Sequence, residues 1–491
     1  MEKRMHRTAG SVRIGLLFVA PLLCVSCLVG PNYHPPQTDL PSSWTGEPPA
    51  APEKATGAPQ PQPSAGAAAD LTGWWHQFGD PKLTSLIEEA LQTNYDLQTA
   101  QARLRQSRAL RGVAAGALWP QVTVSAAYAR VYSGSPSSGA GTSPGDRNLF
   151  QAGFDASWEI DVFGGIRRSL ESASADVLAA QENIHDVQVS LVSEVALDYA
   201  QLRGAQQRVV IARNNLESQQ RTADITRKRE SVGFVSALDV ANAEAQVATT
   251  LSQIPSLEIS ARQSVYALSV ILARPPADLL KELSEVQALP VVPAQVPVGS
   301  PPDLLRRRPD IRQAEALFHA ATARVGVAAA ELFPTVSVSG SFYWQSGLVR
   351  DWFSEINRSW SVGPSVSWSA FAGGSHIANV HVQEAVRDQA LIAFRQTILA
   401  ALQDVENTLI AFSKDQERRR ALSDAAADFR RALDLSTQLY IQGETEFINV
   451  LDAERSLYAS EDALVQSDID LVTDIIALYK SLGGGWKPTK P

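Results

Sequence analysis

Residues 150–160 read FQAGFDASWEI, and residues 360–370 read WSVGPSVSWSA. In the first stretch Phe150, Ala152, Phe154, Ala156, Trp158 and Ile160 alternate with Gln151, Gly153, Asp155, Ser157 and Glu159. In the second, Trp360, Val362, Pro364, Val366, Trp368 and Ala370 alternate with Ser361, Gly363, Ser365, Ser367 and Ser369. Side chains of a strand point to opposite faces in turn, so each stretch predicts a strand with one apolar and one small, polar face. Val336, Val338, Phe342 and Trp344 alternate with serines in the same way. Val122, Val124, Ala126 and Tyr128 do so less cleanly. Strands of about ten residues with this patterning have the length of tilted strands that cross a bilayer, with lipid outside and water inside. A soluble sheet with one face on a core gives the same alternation. Trp158, Trp344, Trp360 and Trp368 near the strand ends favour an interfacial girdle. The Gly, Ser and Pro-rich residues 133–146 read as an outer loop. Four strands cannot close a barrel, and a bare edge in lipid leaves backbone groups unpaired. Three chains would supply twelve strands.

The strands belong to a duplicated unit. Asp96-Leu97 matches Asp310-Ile311, and Leu118-Trp119-Pro120 matches Leu332-Phe333-Pro334, at one common offset. Gly164-Gly165 matches Gly373-Gly374, and Leu238, Val240, Ala243 and Glu244 match Ile448, Val450, Ala453 and Glu454, at a slightly shorter one. Repeats in conserved order mark an internal duplication. The domain reading is a signal segment at 1–26, an N-terminal extension at 27–78, a first repeat at 79–289, a Pro-rich linker at 290–302, a second repeat at 303–486 and a tail at 487–491. Residues 31–69, rich in Pro, Ala and Gln, read as an extended leash, with order beginning near Trp74, Trp75 and Phe78.

Between Gly165 and Gly233, and between Gly374 and Gly443, no proline occurs. Helices of that length span roughly 100 Å. Leu170, Ala173, Val177, Ala180, Ile184, Val187 and Leu191 step by three and four, as do Ile398, Leu402, Val405, Leu409 and Phe412. That stepping is a coiled-coil seam, which needs partners. The segments near 81–117 and 236–272 in the first half, and near 303–332 and 445–482 in the second, read as shorter helices that together cover each long one. Each half thus reads as one long stave, two stacked shorter ones and two strands.

The chain has a formal charge of −9, which gives nucleic-acid binding no electrostatic support. Lys3, Arg4, Arg7 and Arg13 precede the apolar run 14–25, which is too short to span a bilayer and reads as an export signal. Cys24 and Cys27 are the two cysteines, so no disulfide framework or Cys-based metal site exists elsewhere. Cleavage before Cys27 would leave a first residue able to carry a diacylglyceryl anchor; an ordinary signal-peptidase cut would leave a soluble exported protein. The seven histidines form no HExxH spacing, no phosphate-loop motif occurs, and no cofactor is expected.

Together these features resemble the TolC-like outer-membrane factors, in the lipoprotein branch typified by NodT and OprM. The resemblance is carried by Cys27-Leu28-Val29-Gly30-Pro31-Asn32-Tyr33, Phe78-Gly79-Asp80-Pro81-Lys82-Leu83, Leu305-Arg306-Arg307-Arg308-Pro309-Asp310-Ile311 and Leu482-Gly483-Gly484-Gly485-Trp486. It implies a mainly α fold with membrane β: a trimeric 12-stranded β-barrel, four strands per chain, continuous with a periplasmic α-helical barrel. It also implies a homotrimer anchored in outer-membrane lipid, serving as passive exit duct for an inner-membrane RND-type transporter through a periplasmic membrane-fusion adaptor. A duct for type I protein secretion and a poreless periplasmic scaffold are the alternatives.

Gly233 and Gly443 are expected at the turns of two helical hairpins. The resemblance makes Val232, Gly233, Phe234, Ser236 and Gly443 the adaptor-docking tips. It also aligns Asp452 with an aspartate that rings the closed aperture, and puts Asn449 where a second aspartate stands in the family. Three copies of a carboxylate would form a cation-favouring ring.

Overall fold

The structure is a computed structural model that describes residues 28–45, 62–64, 71–133, 145–293 and 295–487. The signal segment, Cys27 and most of the outer loop lie outside the described residues. In chain order the elements are β1 (Gln62–Ser64), α1 (Pro81–Thr93), α2 (Tyr95–Gly116), β2 (Gln121–Ser133), β3 (Gly145–Ile160), α3 (Gly165–Ser231), α4 (Ala237–Ile271) and α5 (Pro276–Glu282). They continue with β4 (Gln295–Pro297), α6 (Pro301–Arg307), α7 (Pro309–Ala330), β5 (Thr335–Ser346), β6 (Arg358–Ser367), α8 (Ser375–Gln442) and α9 (Phe447–Ser481). The duplication is visible in the lengths. α3 and α8 have 67 and 68 residues, α4 and α9 have 35 each, and α2 and α7 have 22 each.

Two compact units make up the chain. One gathers the described residues within 28–32, 114–170 and 323–383. Its centre is an antiparallel sheet in the order β2-β3-β5-β6. The register lines up Val124, Phe154, Phe342 and Trp360 in one row, and Thr123, Asp155, Ser341 and Ser361 in the next. Facing residues in a ladder share a side, so these two rows show an apolar and a polar face, although Arg358 stands in the row of Ala126, Ala152 and Trp344. Val122, Val124, Tyr128, Phe154, Trp360, Val362 and Val366 are all exposed, so most of the apolar face is bare among the described residues, while Trp352 and Phe353 meet it at Phe150 and Trp344. On the other face Ser337 pairs with Ser365, and Ser341 with Ser361, each through hydroxyls 2.8 Å apart. β6 stops at Ser367, short of the expected 370. The Trp368 indole turns to donate to Leu332 O at 3.2 Å, as that of Trp158 donates to Leu118 O at 2.9 Å.

In the same unit residues 28–32 are packed in place. Val29 N–H donates to Phe163 O at 3.2 Å, and the buried Arg168 reaches Val29 O, Gly30 O and Asn32 Oδ1. Gly30 sits so close to Gly326 that a Cβ on it would lie 2.4 Å from the Gly326 Cα.

The second unit holds residues 33–113, 171–322 and 384–491. Its core gathers Trp74, Phe78, Leu83, Ile87, Val192, Val195, Tyr199, Val405, Leu409, Phe412, Ile475 and Tyr479. Trp74 is fully buried and stacks on Tyr479 with centroids 4.8 Å apart. Residues 33–45 pack here too. Tyr33 stacks on His319 at 4.1 Å and donates to Glu315 at 2.8 Å, and Trp44 is buried with its indole donating to Gly299 O at 2.9 Å. The expected leash is therefore an extended, packed strap over 28–45. Order begins well before Trp74, because Pro-rich backbone can be held by side-chain partners distant in sequence. The 290–302 linker is likewise structured: β4 pairs in parallel with β1, and Val296 and Val298 are buried.

Two expected continuous helices are broken. Asn94 separates α1 from α2; its Oδ1 accepts from Asp96 and Leu97 N–H at 2.9 and 3.0 Å, which caps α2. Arg308 separates α6 from α7, because Pro309 pushes the residue before it out of the helical region, to ψ 118. The seam of α8 is buried at Ile398, Val405, Leu409 and Phe412. On α3 the expected seam is buried at Leu191, with Ile184 and Val187 packed against the core, whereas nearer the helix start Ser172, Ala175, Ala179 and Glu182 are buried and Leu170, Ala173, Val177 and Ala180 stay half-buried. Small residues let neighbours within the chain approach that face closely, which leaves the larger aliphatic stripe partly open.

Candidate functional site at the hairpin tips

α3 and α4 form one helical hairpin, α8 and α9 another. In the first turn Phe234 N–H donates to Arg229 O at 2.9 Å and Gly233 N–H to Glu230 O at 2.8 Å. In the second, Glu444 N–H donates to Leu439 O at 2.9 Å and Gly443 N–H to Tyr440 O at 3.0 Å. This pair of bonds requires a left-handed residue, and Gly233 and Gly443 supply it at φ +83° and +81°. Val232 and Phe234 flank the first glycine and are 65% and 75% exposed. Ser236 then caps α4 in a reciprocal box with Asp239. The second hairpin has no such box: Glu446 caps α9 without a side-chain bond, and Asn449 Nδ2 donates to Thr445 Oγ1 at 2.7 Å.

The two tips are fastened to each other. Ala223 of α3, Ala243 of α4, Tyr440 of α8 and Phe447, Val450 and Leu451 of α9 form a small buried cluster. The Arg229 guanidinium lies 4.5 Å from the centre of the Tyr440 ring and donates to the Tyr440 and Ile441 carbonyls. It thereby places a positive charge on the unsatisfied, negative end of α8. Tyr440 Oη donates to Thr226 Oγ1 at 3.3 Å, Thr222 Oγ1 to Glu454 Oε1 at 2.7 Å, and Arg455 Nε to Gln246 Oε1 at 2.8 Å. Burial pushes the Glu454 carboxyl above its usual range, against the Thr222 hydrogen bond that lowers it.

Val450, Leu451 and Glu454 face inward on α9, so Asn449 and Asp452, three residues apart, share its exposed side. The residues singled out from the sequence thus fall at one end of the hairpins: Val232, Gly233, Phe234, Ser236 and Gly443 in the turns, Asn449 and Asp452 on the first and second turns of α9. Arg229, Tyr440, Thr226 and Glu454 were not legible as site residues. The repeat aligns Glu454 with Glu244, but Glu244 is exposed and paired with Arg227 while Glu454 is buried. Arg229 aligns with Leu439, so the duplication carries no sign of its capping role.

A family profile described as Outer membrane efflux protein matches residues 86–274 and 301–484. The chain belongs to this family. It is 33% identical to Nodulation protein T of Rhizobium leguminosarum bv. viciae over 96% of this chain and 93% of that one. It is 32% identical to the pyoverdine export outer membrane protein OpmQ of Pseudomonas aeruginosa, over 86% and 89% respectively. The solved outer-membrane channel OprN superposes with a TM-score of 0.85 at 38% identity, covering 94% of this chain and all of that one. As a NodT/OprM-type outer membrane efflux protein, the chain is an efflux-channel subunit of the outer membrane. Its fold class is that of the trimeric channels, with four strands per chain in a twelve-stranded barrel and long periplasmic helices.

Proposed function

We propose that this subunit is the passive exit duct of a tripartite pump for drugs or other small compounds, gated and docked at its hairpin tips. A periplasmic membrane-fusion adaptor links it to an inner-membrane RND-type transporter, which supplies the energy. The duct catalyses nothing, and its homotrimer is held to the outer membrane by its strands and by lipid on Cys27. One observation carries the reading. Asp452 and Asn449 stand exposed on α9 just behind turns that hold Val232 and Phe234 in solvent, while the inner faces of both hairpins are locked together. Three copies of Asp452 form a charged aperture, and the exposed apolar tips offer the adaptor a surface to bury.

The decisive experiment is planar-bilayer recording of the purified trimer. Asp452→Ala is expected to raise single-channel conductance and to weaken cation preference; an unchanged variant would remove Asp452 from the gate. Trimer that conducts nothing would leave the scaffold alternative. Photo-crosslinking from position 234 should capture the adaptor, and capture only from the middle of the helices would move the docking site. Mass spectrometry of the mature N-terminal peptide should find Cys27 acylated; a free thiol there would refute the anchor.

A further inference from the structure

α8 and α9 carry an acidic contact far from the tips. Asp474 of α9 faces Asp415 of α8, and their carboxyls are close enough to hydrogen-bond if one of them holds a proton. Asp474 Oδ2 is buried and no ordinary donor reaches it. A buried carboxylate oxygen without a donor is costly, and a second carboxylate beside it adds repulsion. A single proton held between the two removes both costs.

The surrounding charges leave the pair under-neutralised. On α8, Arg418 bonds Asp470 at 2.9 Å and stands 3.7 Å from Asp415. On α9, Asp470 lies one turn before Asp474 and also accepts from Gln466. On α3, Asp198 and Arg208 line a polar cavity of about 540 Å³ together with Asp470 and Thr473, and Arg208 is already taken by Asp462 at 2.7 Å. Asp198 is itself pushed up to about 6, by burial first and then by Glu194. Thus the pair stands beside a third acid, Asp470, and Arg418, the arginine next to Asp415, is shared with Asp470.

We propose that Asp415 and Asp474 share one proton and act as a pH-operated clasp between α8 and α9, the hairpin whose tip carries Asn449 and Asp452. With the proton in place the two helices are bonded; without it two carboxylates repel across the seam. Asp474 is pushed up to about 7, chiefly by burial and then by the Asp415 charge. A carboxyl raised in this way supports the fold below its unfolded value, and that support is lost as pH climbs through the raised one. The clasp is closed in mild acid and open in mild base.

The test rests on the duct reading and uses the full trimer in planar bilayers at pH 6, 7 and 8. Conductance of the wild type should rise with a midpoint near 7. Asp474→Asn mimics the protonated acid and keeps a donor for Asp415, so its conductance should stay near the pH 6 value throughout. Asp415→Asn should do the same, which guards against one variant misfolding. Helix-resolved hydrogen exchange should show α8 and α9 opening more at pH 8 than at pH 6, after correction for intrinsic rates, in the wild type only. A wild type with no pH dependence, or variants that retain it in full, would overturn the clasp. Trimer that conducts at no pH would instead refute the duct.

Discussion

Ala273 is the non-glycine residue at positive φ among those described, at 55°. It closes α4 as a glycine would: Arg274 N–H donates to Ser269 O at 2.9 Å and Ala273 N–H to Val270 O at 3.1 Å. The second half ends α9 with the same two bonds and Gly483 at φ 71°. A Cβ in this conformation costs about 1–2 kcal/mol. Ala273→Gly should therefore stabilise the protein by about 1 kcal/mol, less the entropy that glycine adds to the unfolded chain. Denaturant unfolding with an unchanged slope would measure it, and a lowered midpoint would show that the turn is unstrained. The reverse change, Gly483→Ala, should be worse than neutral, since its Cβ would meet Arg307 O at 3.0 Å.

At the scale of elements, the breaks at Asn94 and Arg308 sit at matching places in the duplication and do one job with different chemistry. Asn94 Nδ2 donates to Ile271 O at 2.9 Å, the bare end of α4. Arg308 donates to Ser481 O at 3.0 Å, the bare end of α9, and also pairs with Asp310 and Asp404. Each break thus ties a stacked pair of short helices to the end of the returning one. Asn94→Ala would strip the cap from α2 and leave Ile271 O buried without its donor, at a cost of about 2 kcal/mol. A drop in the thermal midpoint checks this, and a loss below about 0.5 kcal/mol would mean that water replaces the amide. These breaks also mark the limit of what local sequence conveys. The four strands, the long helices and the hairpin glycines were legible because each is written in a period or in a residue type that its backbone demands. Asn94 reads locally as an ordinary helix residue, and its partner lies in another element. The same holds for the strap: proline content shows an extended backbone, but Arg168, His319 and Gly299, which hold it, are far away in sequence. At the tips the turn residues were legible and the fastening by Arg229 was not, since a cation serving another helix's carbonyls leaves no spacing behind.

For the whole molecule, the sheet's register makes the membrane claim testable at one-residue resolution. Phe342 lies in the apolar row with Val124, Phe154 and Trp360, and Ser341 lies in the polar row with Thr123, Asp155 and Ser361. Lysine on the lipid face of a barrel costs about 2–4 kcal/mol at mid-depth, while lumen positions accept charge. Phe342→Lys should sharply reduce the heat-resistant trimer on gels, and Ser341→Lys should leave its yield nearly unchanged and alter ion selectivity. Equal damage from both would point to a soluble sheet with a packed core.

The open sheet has a genetic consequence. β2 and β6 each keep one edge without a partner among the described residues, so every copy depends on two others to complete its own backbone bonding. A copy that reaches the membrane with one spoiled edge is not merely idle, since it removes the two sound copies that accept it. Where a defective and an intact allele are expressed equally and mix at random, about one trimer in eight is wholly intact. Edge lesions in this protein should therefore be inherited as dominant, whereas lesions that stop a copy from folding at all should be recessive.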